Sequence, residues 1–223
     1  MFYINGTDIE DLGGLMLRDY TVSASPVTQD YNKPRNGTSF TVFGKTIGLK
    51  TITVTVNIRG RDRREVAARK SALDVMAAAG QIEITLPDLF QYTSVLQNAG
   101  GLSWILPTRG ECSYTFLAIQ HDPLISVETT GILYAEGTMP EMSCRISVTA
   151  GAEAETYTVA GVTFTDIKAG DKIVIDGLNS RVLLNGGNAI LRCDLVEFPR
   201  LTPGKNTIVA PDRVTVEYYP SYQ

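Results

Sequence analysis

The stretch from Thr51 to Leu86, TITVTVNIRGRDRREVAARKSALDVMAAAGQIEITL, changes its period twice, and those two changes decide the fold. Over Thr51 to Ile58 the residues alternate, with Ile52, Val54, Val56 and Ile58 on one side and Thr51, Thr53, Thr55 and Asn57 on the other, which predicts a half-buried strand. Asp62 then offers an N-cap with Glu65 in the reciprocal position, and an alanine-rich run extends to a C′ glycine at Gly80, which predicts a helix over Arg63 to Ala79. Val66, Leu73, Met76 and Ala77 fall on one side of that helix. Arg69 and Lys70 interrupt the stripe, so one edge is expected to be wet. Its basic residues alternate with Glu65 and Asp74 and read as a solvated face rather than a phosphate site. QIEITL returns the chain to strand.

Outward from this block, mixed residues over Leu15 to Val22 and alternating runs near Tyr92–Gln97, Trp104–Leu106 and Tyr114–Gln120 read as further strands. Strand, helix and strands together predict an α+β domain with a mainly antiparallel sheet. Between Val22 and the central strand lies SASPVTQDYNKPRNGTS, Ser23 to Ser39, too long and polar for a hairpin turn; it is expected to be a functional arm or disordered. The pair Asp122-Pro123 cannot continue a ladder and marks a linker. Beyond it the character is all-β. Short strands at Arg145–Thr149, Thr156–Val159, Val162–Phe164, Lys172–Ile175, Arg181–Leu184 and Arg213–Tyr219 are spaced as in a sandwich, with Asp176-Gly177, Asn185-Gly186 and Pro203-Gly204 as turns. The fold class is therefore mainly β with one helix, in two domains, residues 1–125 and 126–223.

The chain has 223 residues with 20 basic against 24 acidic side chains, a formal charge of −4, which disfavours nucleic acid as a partner. No apolar run is long enough to span a bilayer, so membrane insertion is not expected, and the N-terminus lacks the pattern of a signal peptide. The chain is expected to begin at or near Met1 and to be made in a cytosol. Cys112, Cys144 and Cys193 stand apart and form neither a disulfide framework nor a thiolate zinc site. The Asn5 and Asn36 sequons carry no weight outside a secretory pathway.

Catalytic and cofactor signatures fail one by one. His121, the single histidine, ends a strand-like run, and no G-x-S-x-G elbow accompanies it. Gly44-Lys45-Thr46 has Ser39 where a phosphate-binding loop requires glycine, and strand follows it where the loop must open a helix. The carboxylates, Asp171 and Asp176 among them, read as solvated turn residues. No enzyme, cofactor or metal site is expected, and none is nominated.

An ordered set of elements resembles the distal tail (Dit-like) proteins of siphophages. It comprises the N-terminal strand and turn Phe2-Tyr3-Ile4-Asn5-Gly6, the strand–helix–strand block, and a strand closing on His121-Asp122-Pro123. In the second half follow Met139-Pro140, Gly170-Asp171, Ile175-Asp176 and the Leu184-Asn185-Gly186 hairpin. The series ends with Phe198-Pro199, Leu201, Pro203-Gly204, Asn206-Thr207-Ile208 and the aromatic pair Tyr218-Tyr219. The resemblance covers nearly the whole chain, except Val22–Phe40 and Asn98–Glu111. It implies an N-terminal domain that closes into a homo-oligomeric ring, a hexamer in the family, and a C-terminal galectin-like β-sandwich.

Such a ring would join the tail tube to the tail tip or baseplate and its receptor-binding apparatus, within a virion tail assembled in the bacterial cytoplasm. The partners implied are further copies of the chain, the tail tube protein, a tail-tip protein, and a receptor-binding protein or host-surface saccharide. Ile52, Val54, Val56, Ile58, Arg63 and Val66 are the candidate ring interface. The rival reading is a carbohydrate-binding module with an adaptor domain, and the third is an enzyme using His121.

Overall fold

The computed structural model of the chain describes residues 1–223 except Pro34 and Asn36, so the second sequon lies outside the described residues. The chain forms two compact units, Met1–His121 with Gln223, and Asp122–Tyr222.

The first unit contains β1 (Tyr3–Ile4), β2 (Thr7–Asp8), β3 (Leu15–Val22), β4 (Val27–Asn32) and β5 (Thr41–Ile47). After them come β6 (Lys50–Arg59), α1 (Arg63–Ala77), β7 (Gln81–Thr85), β8 (Gln91–Ala99), β9 (Ser103–Leu106) and β10 (Arg109–His121). Its main sheet runs β2-β1-β7-β8-β10-β6-β3, with β9 also on β10. The alternation in β6 becomes register: Ile52, Val54 and Val56 stand opposite Phe116, Tyr114 and Cys112 of β10, all of them buried. Val66, Leu73 and Ala77 of α1 belong to the same apolar cluster. Each such side chain contributes about 1.5–3 kcal/mol relative to exposure, which is why helix and sheet fold as one body.

The helix begins as its sequence dictates. Asp62 is extended, with φ −149°, and its carboxylate accepts the Glu65 backbone N–H at 2.9 Å. Glu65 reaches one residue further back than a capping box requires and accepts the Arg61 N–H at 2.7 Å. Gly80, at φ +89°, reverses the chain into β7 in a conformation that other residues adopt at a cost. The two bases that break the apolar stripe are both held. Arg69 bonds Glu65 at 2.8 Å and the Arg59 carbonyl. Lys70 bonds Asp74 at 2.7 Å with its ammonium 5.9 Å from the Tyr114 ring centroid, and the Tyr114 hydroxyl donates to the same carboxylate at 2.7 Å.

At the sheet's free edge, β3 carries a bulge between Leu17 and Asp19, beside which Arg18 pairs with Glu111. The polar stretch expected to be a functional arm or disordered is in part a hairpin. Among the described residues, strands β4 and β5 pair only with each other, Val27 opposite Ile47 and Asn32 opposite Thr41. Period-2 alternation is weak there because neither face of the pair is buried, so the usual strand signal is missing.

The second unit contains β11 (Ile125–Thr129), β12 (Ile132–Ala135), β13 (Met142–Thr149), β14 (Ala154–Val159), β15 (Val162–Ile167) and β16 (Lys172–Asp176). It continues with β17 (Arg181–Leu184), β18 (Gly187–Asn188), β19 (Arg200–Leu201), β20 (Gly204–Thr207), β21 (Val214–Tyr218) and β22 (Ser221–Tyr222). The large sheet runs β11-β21-β13-β16-β17-β18. Its inward residues, including Cys144, Ile146, Ile173, Ile175, Val214 and Val216, share one core with Leu133 of β12 and with Tyr157, Val159, Val162 and Phe164 of the β14–β15 pair. This is a sandwich.

The segment Phe198-Pro-Arg-Leu-Thr-Pro-Gly-Lys-Asn206 has a mechanical explanation. Leu201 is buried opposite Met142, Gly204 takes φ +88°, and Asn206 clasps the turn. Its side-chain oxygen accepts the Thr202 N–H at 2.9 Å, and its amide donates to the carbonyls of Thr202 and Gly204 at 2.8 and 2.9 Å.

Candidate functional site

The six residues nominated from sequence for an interface divide sharply. Ile52, Val54, Val56, Ile58 and Val66 are all 0% exposed, locked between sheet and helix, and offer a neighbour no surface. Alternation identifies which face of a strand is apolar, but a helix of the same chain covers that face here. Arg63 is exposed and stacks its guanidinium over Trp104 of β9, 5.4 Å from the ring centroid.

The accessible apolar groups of the first unit lie elsewhere. On the β4–β5 hairpin, Tyr31, Phe40, Val42 and Phe43 are 53–72% exposed. Tyr31 and Phe40 meet edge to face at 5.5 Å, and Lys33 lies 5.7 Å from the Phe40 centroid. On β9, Trp104, Ile105 and Leu106 are likewise exposed. A two-stranded hairpin without a core is marginal in water, so aromatics displayed on one are unusual for a chain acting alone. The signal available in the sequence was aromatic residues set within a stretch rich in Asn, Pro and Gly.

No comparable arrangement supports chemistry at His121. Its ring is buried at the end of β10, with Nε2 2.9 Å from the Thr93 hydroxyl and 3.3 Å from a Glu83 carboxylate oxygen. Burial pushes the Glu83 carboxyl up, but bonds from His121 and Thr93 outweigh it and leave the group below its ordinary value. Thr93 also donates to Glu83 at 3.0 Å, so Nε2, the hydroxyl and the carboxylate are bound to one another. Burial pushes the Cys112 thiol up and the Cys144 thiol to about 12, away from the reactive thiolate. Gly44-Lys45-Thr46 sits inside β5, extended and in no anion-binding loop. Among the described residues no group of three or more His, Cys, Asp or Glu side chains is placed to hold a metal ion, and no helix is long and apolar enough to cross a membrane.

The second unit carries a charged network that the sequence concealed. Asp176, read as a solvated turn residue, is 0% exposed. Cross-strand pairing builds one row from Glu217 through Arg145 and Asp176 to Arg181. Arg145 lies 3.1 Å from Glu217 and 3.3 Å from Asp176, and Arg181 lies 3.0 Å from Asp176. The Asn179 amide adds a bond at 2.9 Å. Burial pushes the Asp176 carboxyl up, yet the Asn179 and Arg181 hydrogen bonds and the Arg145 charge hold it below its ordinary value.

Against known proteins, residues 136–222 match the family model described as the siphovirus-type tail component, C-terminal domain. No curated relative matches the sequence. Among solved structures, the crystal structure of the SPP1 Dit protein, described as a paradigm of the hub adsorption apparatus in phages infecting Gram-positive bacteria, is similar over 100% of both chains. Its TM-score is 0.75 at 12% identity. A chain in the phage P2 baseplate, in its activated conformation with Ca, has a TM-score of 0.57 at 8% identity, covering 96% of this chain and 92% of that one. The same baseplate with Sr gives 0.57 at 8%, covering 95% and 92%. Over residues 136–222 the chain thus matches the siphovirus-type tail-component family, and over its whole length it shares the fold of SPP1 Dit.

Proposed function

We propose that the chain is a structural hub: a homo-oligomeric ring, hexameric as the resemblance implies, that joins the tail tube to the tail tip and its receptor-binding apparatus. The observation that carries this reading is the β4–β5 hairpin, which displays Tyr31, Phe40, Val42 and Phe43 and, among the described residues, pairs with no other strand. Ring closure requires a heterologous interface, in which one patch of a copy meets a different patch of the next. The hairpin is suited to be one such patch. The exposed β9 segment, with Trp104 under Arg63, is suited to be another contact. Of the residues nominated from sequence, Arg63 stays in this interface, and the five apolar ones serve it by holding the sheet that carries it.

The tube and tip proteins are its proposed partners, and the role is mechanical rather than catalytic. A carbohydrate-binding module with an adaptor domain would use the second unit equally well, but it has no need of an exposed aromatic hairpin in the first. Light scattering across a concentration series, followed by negative-stain imaging, tests the ring directly. We expect rings of about six subunits, alone or on addition of purified tube or tip protein. Replacing residues 27–47 with a short Gly-Ser linker is expected to abolish them while the thermal melt is kept. A chain that stays monomeric with both partners present, or rings that survive loss of the hairpin, would overturn the reading.

A further inference from the structure

The second layer of the sandwich is built from two separate strand pairs, β12–β20 and β14–β15, which meet where the Ala160 N–H bonds the Val209 carbonyl at 2.8 Å. At this junction lies a slot of about 290 Å³. Ile208 and Val209 line one side and Ala160 and Gly161 another, while Cys144 and Ile146 of β13, both core residues, form its floor. Beside it runs the loop of residues 189–198, which carries Leu191 at 96% and Val196 at 99% exposure. That loop is pinned. Arg192 donates to the carbonyls of Thr165 and Asp166, both at 3.2 Å, Cys193 bridges Phe164, and the Asp194 N–H bonds the Thr163 carbonyl at 3.1 Å. These contacts run the loop antiparallel to β15 toward Gly161, so Val196 emerges at the rim of the slot. On the other flank Ile132 stands opposite Thr207, which lines the slot, and Ile132, Tyr134 and Val209 are 53–70% exposed.

A loose loop could fold its leucine and valine back onto the core, but one held by backbone and guanidinium bonds keeps them extended and ready for contact. Leu191, Val196, Ile132, Tyr134 and Val209 together present on the order of 500 Å² of apolar surface. A standard interface covers ~800 Å² per partner, an apolar core within a polar rim, so the patch is of the size such a core requires. Charge and shape select the occupant. Around the patch stand Arg192, Arg200 and Lys205 against Glu141, Asp194 and Glu197, and Arg200 is paired with both glutamates. A nucleic acid or an anionic lipid surface requires a basic excess that this balanced rim lacks. Two identical copies meet here without net repulsion, although residues 122–223 as a whole hold 13 acidic against 8 basic side chains and would resist pairing elsewhere. Projection and slot also adjoin on one face, which is what a two-fold axis needs for each copy to fill the other.

We infer that this face pairs with the same face of a second copy, Leu191 and Val196 of each entering the slot of the other. The contact belongs to the second unit alone and does not depend on ring closure. Sedimentation velocity from about 1 to 100 µM tests it on the chain whose residues 27–47 are replaced by a Gly-Ser linker, where the proposed ring contact is gone. A monomer–dimer equilibrium is expected. Leu191→Ser with Val196→Ser, at exposed positions where the melt is kept, should weaken it more than about tenfold, and Val209→Lys, on the slot itself, more than about fivefold. In the unaltered chain the same double substitution should halve the mass of the largest particle and leave its rings whole, so loss of pairing and loss of the ring are read separately. A linker protein that stays monomeric throughout, pairing that survives these substitutions, or a particle mass unchanged by them would each overturn the inference. So would a patch that is covered only when tube or tip protein is added.

Discussion

Two hairpins of this chain, β16–β17 and β4–β5, do opposite things. The β16–β17 hairpin is stitched into a sheet on both sides, its apolar residues Ile173, Ile175 and Val182 are fully buried, and even its carboxylate at Asp176 is sealed and paired. The β4–β5 hairpin has no neighbour strand among the described residues and leaves its aromatic residues exposed. The first derives its stability from its own fold. The second leaves its aromatic surface uncovered by its own fold, so in the proposed ring the fold and the assembly would place separate demands on separate residues.

The largest break in that comparison is expected from Asp176→Ala. Removing the carboxylate leaves Arg145 without one of its two acidic partners and Arg181 without the carboxylate it bonds, beside a void in a sealed position, and urea unfolding should show a loss of about 3 kcal/mol. Next comes Gly177→Ala in the same hairpin. A Cβ there would lie 2.8 Å from the Cys144 carbonyl oxygen, a backbone atom that cannot yield cheaply, and about 2 kcal/mol should be lost in the same assay.

A smaller effect is expected from pH. The folded Asp176 carboxyl titrates below its ordinary 3.8, so its contribution to folding is complete above that value and disappears as pH falls through the depressed one. The urea midpoint of the wild type should therefore fall below pH 3.8 more steeply than that of Asp176→Asn, and parallel curves would show that the network adds nothing pH-dependent. The smallest change in stability belongs to the other hairpin. Phe43→Ser, at a position 72% exposed, should leave the melt within about 0.5 kcal/mol while weakening ring formation in sedimentation.

These contrasts follow the range over which a sequence signal acts. Strand β6 and helix α1 are legible because period and capping are local: Ile52 to Ile58 alternate on a pleat, and Asp62 lies three residues from the N–H it accepts. The Asn206 turn is legible for the same reason. Asp176 is not, since an aspartate before glycine at a strand end looks like any turn, and the row that seals it depends on Arg145, which a distant stretch of the chain brings alongside. The nominated interface meets the same limit. Alternation shows Val54 and Val56 to be on an apolar face, but whether α1 or another copy covers that face depends on where the helix lands. The hairpin escaped notice for the converse reason: without a buried side, its strands have no reason to alternate.

The bulge at Leu17/Asp19 has a further consequence, for solubility. Strand β3 is the longest free edge of its sheet, eight residues of backbone donors and acceptors, and a flat edge of that length would template strands from any unfolded neighbour. The bulge interrupts its hydrogen-bonding rhythm and sets Arg18 and Asp19 beside the break, so an incoming strand cannot zip along the whole edge in one register. The chain is thereby protected at the place where indiscriminate sheet extension would begin.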